Sequence, residues 1–313
     1  MTTGSFVVFC GGVGGSKLAD GLARILPPEK LTIVVNTADD FYHLGLRICP
    51  DIDTVTYMLA GLVDAERGWG RGDETWDCMS TLETLEGESW FRLGDRDLAL
   101  HLHRTHLLKR GATLETVTKT IARRFGVAHR IIPMTEEPVA TVVDTEDGEL
   151  AFQDYFVRRR CEPVVKGYRY EGIERARPTP SVLDALGAKD LAGIIFAPSN
   201  PILSIGPILG MEGLSKALVA SRAPTIAVSP IIGGAAVKGP AAKLMQELGR
   251  SADIAGIAAF YGSLLQGLVI DTEDVTRTEG LSVRSRATNS LMRDGDDRER
   301  VARFCLDFLG EFR

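Results

Sequence analysis

Apolar residues in this chain fall into short unbroken runs alternating with helix-spaced stripes. Residues 6–10 and 31–36 are β-branched or aromatic runs without alternation, the pattern of strands buried on both faces. Between them, residues 17–26 carry Leu18, Leu22, Ile25 and Leu26 at helical spacing and stop at Pro27-Pro28. This order predicts a βαβ unit with a right-handed crossover. A polar loop follows over 36–50, then a helix over 53–62 and a structured loop over 68–77 that holds Trp69 and Trp76. Amphipathic helices are predicted over 97–110 and 113–125, closed by Gly111 and Gly126. Runs at 139–144 and 149–158 flank Thr145-Glu-Asp-Gly148, a hairpin signal. From Ser181 the α/β rhythm returns, with strands at 191–197 and 225–229, helices at 213–221 and 240–249, further core over 253–270 and a last helix over 296–312. The stretch 285–298 is polar and reads as mobile. The whole predicts an α/β core of mostly parallel strands, about 1–65 and 180–313, interrupted by a smaller α+β insertion at about 66–179.

The richest punctuation lies at the first strand end. Gly11-Gly-Val-Gly-Gly15 separates an apolar strand from a helical pattern, and Ser16-Lys17 follow. Such a loop brings bare backbone N–H groups close to a phosphate, where the helix dipole favours negative charge. A dinucleotide fingerprint starting at Gly12 would need glycine where Lys17 stands, and a Walker A loop would end Gly-Lys-Ser/Thr rather than Gly15-Ser16-Lys17. The alternative is a tight β-to-α turn without a ligand; four glycines in five positions favour phosphate or nucleotide binding.

Bulk properties narrow the class. With 313 residues, 44% hydrophobic and 25% charged, the chain is long enough for one large α/β domain. A net charge of -6 argues against sequence-independent nucleic-acid binding, which needs a basic surface. Arg158-Arg159-Arg160 reads as a solvated strand end. No apolar run reaches the length of a membrane span, and no signal-peptide pattern opens the chain. The five cysteines form no C-x-x-C pair, which fits a reducing cytoplasm. His101, His103 and His106 lack a completing carboxylate at zinc spacing and read as surface residues.

In an open α/β sheet, ligands bind where strand carboxyl ends open into loops at a topological switch point. Four such loops are chemically loaded. After the second strand come Asn36-Thr-Ala-Asp-Asp40 and Pro50-Asp-Ile-Asp53, placing Asp39, Asp40, Asp51 and Asp53 near the glycines. Carboxylates beside a phosphate site suit Mg²⁺, a hard cation; Asp51 and Asp53 are equally readable as helix N-terminal residues, and Asp39-Asp40 as a turn. Arg92-Leu-Gly-Asp95-Arg-Asp97 offers guanidinium groups for phosphate or ring carbonyls, with Asp95 as a helix cap. The other two loops are Ala197-Pro-Ser199-Asn200-Pro201 and Ser229-Pro-Ile-Ile-Gly-Gly234, the latter followed by Lys238. No spacing suggests a Ser–His–Asp or Cys–His nucleophile, whereas phosphoryl transfer needs mainly positioning, a metal and charge stabilisation.

Together these segments, with Arg67-Gly-Trp-Gly70, Asp73-Glu-Thr-Trp76 and Ser204-Ile-Gly-Pro-Ile-Leu209, resemble the 2-phospho-L-lactate transferase family (CofD/FbiA), most of all its actinobacterial-type phosphoenolpyruvate transferases. The resemblance runs from the N-terminus to about residue 250. It implies a step of coenzyme F420 biosynthesis. A phosphoenolpyruvyl or 2-phospho-L-lactyl group would pass from a guanosine-diphosphate-linked donor to the ribityl hydroxyl of the deazaflavin Fo, with GMP leaving and Mg²⁺ as cofactor. It also implies a Rossmann-like core with an added α+β subdomain, and a homodimer. On this resemblance Gly11, Gly12, Gly14, Gly15, Ser16, Lys17, Ser199, Asn200 and Ser229 hold the nucleotide. Asp39 and Asp40 bind Mg²⁺ or orient the hydroxyl, Asp40 being the proton acceptor. Asp51, Asp53, Arg92, Asp95 and Trp76 meet Fo, and Trp69 is also available to stack on its ring. The alternative is a non-catalytic relative that binds nucleotide sugars as a regulator; it would not need the 50–53 and 92–97 segments.

Overall fold

The computed structural model of this chain describes residues 4–64, 67–236 and 239–312. Lys238 therefore lies outside the described residues. Seven strands build the central sheet: β1 Ser5–Cys10, β2 Leu31–Val35, β3 Arg130–Pro133, β4 Leu191–Phe196, β5 Thr225–Val228, β6 Gly267–Asp271 and β7 Arg284–Thr288. They run in the order β7-β6-β5-β4-β1-β2-β3, and every neighbouring pair is parallel. The order reverses between β1 and β4, so the strand ends there open into a crevice. Alternation along β1 explains the two-sided burial. Phe6, Val8 and Cys10 face one apolar cluster; Val7 and Phe9 face the other.

Helix α1 Gly12–Ile25 covers the first of these faces, packed between α2 Pro50–Leu59 and the C-terminal helix Gly295–Gly310. It begins five residues before the expected start at Lys17, because the glycines themselves form its first turn. Between β2 and β3 come a short antiparallel hairpin, Phe41–His43 with Leu46–Ile48, then α2, α3 Asp77–Thr84, α4 Asp95–Lys109 and α5 Leu114–Arg124. Thr113 caps α5, its hydroxyl accepting from the Thr116 N–H. Strand β3, which falls inside the stretch assigned to the insertion, pairs with β2 in the central sheet. A separate three-stranded antiparallel sheet follows, with Ala140–Thr145 between Gly148–Ala151 and Val165–Glu171. Its Val143, Leu150 and Val165, with Phe152 just beyond it, join the cluster that holds Val7 and Phe9.

Two expectations are corrected. The strand expected over 149–158 ends at Ala151, and Asp154–Arg158 form a π-helical turn, since Phe152 and Tyr155 are both buried at helical rather than alternating spacing. The stretch 285–298, read as mobile, is a regular strand at its start. It carries edge strand β7, polar because it closes the sheet. Its Arg284 and Arg286 pair with Glu311 and lie over Phe304, Phe308 and Phe312. Arg158, Arg159 and Arg160 are solvated as expected, but at the end of the π-helical turn. Among the described residues no single helix is long and apolar enough to cross a membrane.

Candidate active site

The N-terminus of α1 sits at the switch point, and its glycines are there for room. A Cβ on Gly11 would lie 2.3 Å from an Asp51 oxygen, on Gly14 2.3 Å from the Pro198 carbonyl oxygen, and on Gly15 2.4 Å from the Ser199 hydroxyl. Helix α1 thus wedges its first turn between the start of α2 and the loop after β4. Gly12 is different: its φ is +63° and its Cβ direction is open, so glycine is needed for conformation. The Gly12 N–H donates to Asp51 Oδ1 at 2.7 Å, and the Gly11 N–H donates to Ser199 Oγ at 3.1 Å. Ser199 returns its own proton to the Gly11 carbonyl at 2.8 Å. No side chain caps α1 at Gly11.

The loop after β2 brings carboxylates to the same point. Asp39, Asp40 and Asp51 are all buried. Asn36 Nδ2 donates to Asp51 Oδ2 at 3.0 Å, tying the end of β2 to the start of α2. Thr141 donates to Asp39 Oδ1 at 3.3 Å, and Gln153 to the Asp39 carbonyl at 3.2 Å, so the three-stranded sheet buttresses this loop. Arg47, on the hairpin, pairs with Asp40 Oδ2 at 3.1 Å. Asp40 Oδ1 is buried with no hydrogen-bond partner.

Burial, and then the neighbouring charges of Asp51 and Asp40, push the Asp39 carboxyl well above the ordinary carboxylate range. Burial likewise raises Asp40 to about 6, against the pull of Arg47 and a hydrogen bond with Cys49. Asp51 is raised to about 6 by burial, opposed by the hydrogen bonds from Asn36 and Gly12. Three desolvated carboxyls therefore crowd one helix N-terminus, an arrangement that a cation or a proton relieves.

Asp53 stands apart from this group. Both of its oxygens are taken by the buried guanidinium of Arg104 on α4, one of them at 3.0 Å from Nη1. His101 is buried as well, contrary to the surface position expected of it. Its Nε2 is 3.2 Å from Asp97 and its Nδ1 3.2 Å from Arg104, while Tyr57 donates to Asp97 at 2.5 Å. The spacing of α4 explains this, because Asp97, His101 and Arg104 share the face turned to Asp53 and Tyr57 of α2. Among the described residues no group of three or more His, Cys, Asp or Glu side chains is arranged to hold a metal by itself.

A platform lies beside the hairpin. Arg92 stacks over Trp76 with 5.1 Å to the ring centre, and Arg67 over Trp69 and Trp76 at 5.5 and 5.9 Å. Trp76 shares an apolar cluster with Phe41, Ile48 and Phe91, which puts the platform next to the segment that follows Asp40. Asp95 accepts from the Asp77 and Cys78 N–H groups, both at 3.0 Å, and so caps α3; Glu74 reciprocally accepts from Arg96 and Asp97 at the start of α4. In the remaining loops, Asn200 Oδ1 caps the turn at Pro201–Ile205, Ser229 accepts from the Ile231 N–H at 3.1 Å, and Ser16 donates to the Val13 carbonyl. Lys17 donates to the Met292 carbonyl at 2.6 Å.

The glycine turn, Ser199, Asp39, Asp40 and Asp51 thus converge, and Asp53 and Asp95 act within the fold. Sequence reasoning had assigned no role to Asn36, Arg47, Arg104, Thr141 or Gln153. Only Arg47 had a local signal, the Leu44-Gly45 turn of a hairpin whose two residues both take positive φ.

A family model described as 2-phospho-L-lactate transferase CofD matches residues 6–304. The chain belongs to the CofD family. It is 40% identical to a phosphoenolpyruvate transferase of Streptomyces coelicolor over 98% of both chains. It is also 40% identical to a 2-phospho-L-lactate transferase of Methanosarcina mazei, over 86% of this chain and 87% of that one. A solved UPF0052 family protein of Bacillus halodurans shares the fold at a TM-score of 0.62 and 16% identity, covering 98% of this chain and 99% of its own. This CofD-family chain is accordingly a transferase of the phospholactate or phosphoenolpyruvate class, consistent with F420 biosynthesis.

Proposed function

We propose that this chain moves a phosphoenolpyruvyl or 2-phospho-L-lactyl group from a guanosine-diphosphate-linked donor to the terminal ribityl hydroxyl of Fo, releasing GMP. The observation that carries the reading is the meeting of the α1 N-terminus, whose Gly12 N–H already bonds the Asp51 carboxylate, with the buried Asp39 and Asp40 at the switch point. The α1 N–H groups and the Ser199–Asn200 and Ser229 loops hold the diphosphate and nucleoside. Arg92 and Trp76 offer a charged aromatic face for the deazaflavin ring. The hydroxyl oxygen forms a bond to the phosphorus that bears the small acid. The bond from that phosphorus to the bridging diphosphate oxygen breaks, and GMP leaves with the electron pair. The hydroxyl proton passes to Asp40, whose buried Oδ1 is an acceptor without a donor and whose carboxyl, raised to about 6, is still ionised near neutral pH.

Mg²⁺ fits these residues. An ion of this kind is held by one or two carboxylates together with substrate phosphate oxygens, and Asp39 and Asp40 supply two crowded, desolvated carboxyls. When bound, it would offset the charge of the diphosphate. The reading includes a homodimer in a reducing cytoplasm, where the five unpaired cysteines are chemically stable. The test mixes purified protein with Fo, Mg²⁺ and either the enolpyruvyl or the lactyl donor, and follows products by mass spectrometry; light scattering on the same sample reports the dimer. Transfer from one donor identifies the reaction and the acid. No transfer from either, with no Fo binding, overturns the reading in favour of a nucleotide-binding regulator.

A further inference from the structure

The proposed donor brings a carboxylate of its own into a place already crowded with carboxylates. In both phosphoenolpyruvate and 2-phospholactate the acid carbon is bonded to the carbon that carries the phosphate oxygen. A phosphorus held at the α1 N-terminus therefore puts a second negative group among Asp39, Asp40 and Asp51, which are all buried. Unpaired, a desolvated carboxylate there is strongly disfavoured.

Two guanidinium groups act on Asp40, those of Arg47 and Arg104. Arg104 is fully buried and committed: it bonds both oxygens of Asp53 and the Arg47 carbonyl, and contacts His101. Arg47 is placed differently. Its Nη2 bonds Asp40 at 3.1 Å, its side chain keeps 15% of its surface, and it lies over the ring of Tyr42, which is 65% exposed. Its backbone is pinned, since its N–H donates to Thr105 at 2.8 Å and its carbonyl accepts from Arg104. A guanidinium carries five N–H donors in a rigid fork, so a contact to Asp40 leaves donors for a planar carboxylate.

We propose that Arg47 is a specificity-determining residue that binds the carboxylate of the transferred acid while its other edge holds Asp40. The inference rests on the transfer reaction proposed above. Arg47 would thereby align the acid-bearing phosphorus with the attacking hydroxyl beside Asp40, and would discriminate against donors whose acid is neutral.

The test is a cycle of two donors and two proteins. The donors are the guanosine-diphosphate ester of the small acid and its carboxamide analogue; the proteins are the wild type and R47Q, with R47K as the conservative variant and thermal melting as the check on folding. The wild type is expected to prefer the carboxylate donor by about 10- to 100-fold in kcat/KM, the range of a charge-assisted hydrogen bond. R47Q is expected to lose most of that preference, R47K to retain part of it, and the KM for Fo to change little in both. Calorimetric binding of free phosphoenolpyruvate and of its carboxamide gives the same cycle where R47Q turns over too slowly to follow. Equal losses for both ligands in R47Q would overturn the proposal and leave Arg47 as a partner of Asp40 alone. A wild type that turns over neither donor would overturn the parent reaction, and this inference with it.

Discussion

Removing the Arg104 guanidinium should cost this protein a large part of its stability, and the structure says how much. Arg104 is 1% exposed, and it carries the charge that meets Asp53 on α2. In R104M the apolar volume is nearly kept, so little of the loss comes from packing. The Asp53 carboxylate, 6% exposed, is left buried with no cation on its oxygens. His101, 3.8 Å from Asp53, compensates only if it takes up a proton. Breaking one side of a buried pair in this way costs about 3–5 kcal/mol. At a few degrees per kcal/mol this lowers the melting temperature by about 10 °C. Urea unfolding followed by circular dichroism measures the free energy directly. The double variant D53L/R104M removes both charges and is expected to recover most of the loss, because desolvation and attraction then disappear together. A single variant within about 1 kcal/mol of wild type, or a double variant no better than the single, would refute the view that this pair is a desolvated charge couple.

Other outcomes follow from the same geometry. D40N is expected to remove turnover in the Fo assay while melting near the wild type, and full activity would sink the role of Asp40 as proton acceptor. The folded-state carboxyl of Asp51 is raised to about 6, above its unfolded value near 3.8, so the native state holds more protons between those limits and stability falls as pH rises through them; D51N should therefore gain on the wild type from pH 4 to pH 6 in urea titrations, and a constant difference would contradict it. G14A must push back the Pro198 carbonyl, which is backbone, and should cost about 1–3 kcal/mol and weaken nucleotide binding, whereas G12A meets open space and should cost only about 1 kcal/mol of left-handed strain. Denaturation of the two variants side by side tests this ordering. D95A removes the acceptor for two N–H groups at the start of α3 and should lower the unfolding midpoint, read by the same unfolding experiment.

Much of this protein was determined locally and could be read without coordinates. Unbroken apolar runs announced β1, β2, β4 and β5, since strands buried on both faces admit few polar residues. Thr113 and Gly126 marked the ends of α5, because capping chemistry is set within a few residues. The cluster of glycines and aspartates at strand ends carried enough pattern to point to the family. Tertiary structure decided the rest. Gly11, Gly14 and Gly15 read as phosphate cradles in sequence, yet their size is demanded by Asp51, Pro198 and Ser199, of which the last two lie nearly two hundred positions along the chain. Asp53 was legible only as a candidate ligand contact; its pairing with Arg104, fifty-one residues away on another helix, was not. His101 read as a surface residue because nothing near it in sequence marks which face of its amphipathic helix meets α2, whose approach buries it. The polar stretch at 285–298 read as mobile because the edge strand at its start keeps its charges for a neighbour, Glu311, that no local pattern can supply. Periodicity and caps are properties of adjacent residues; charge pairing and close approach depend on which distant segments the sheet order brings together.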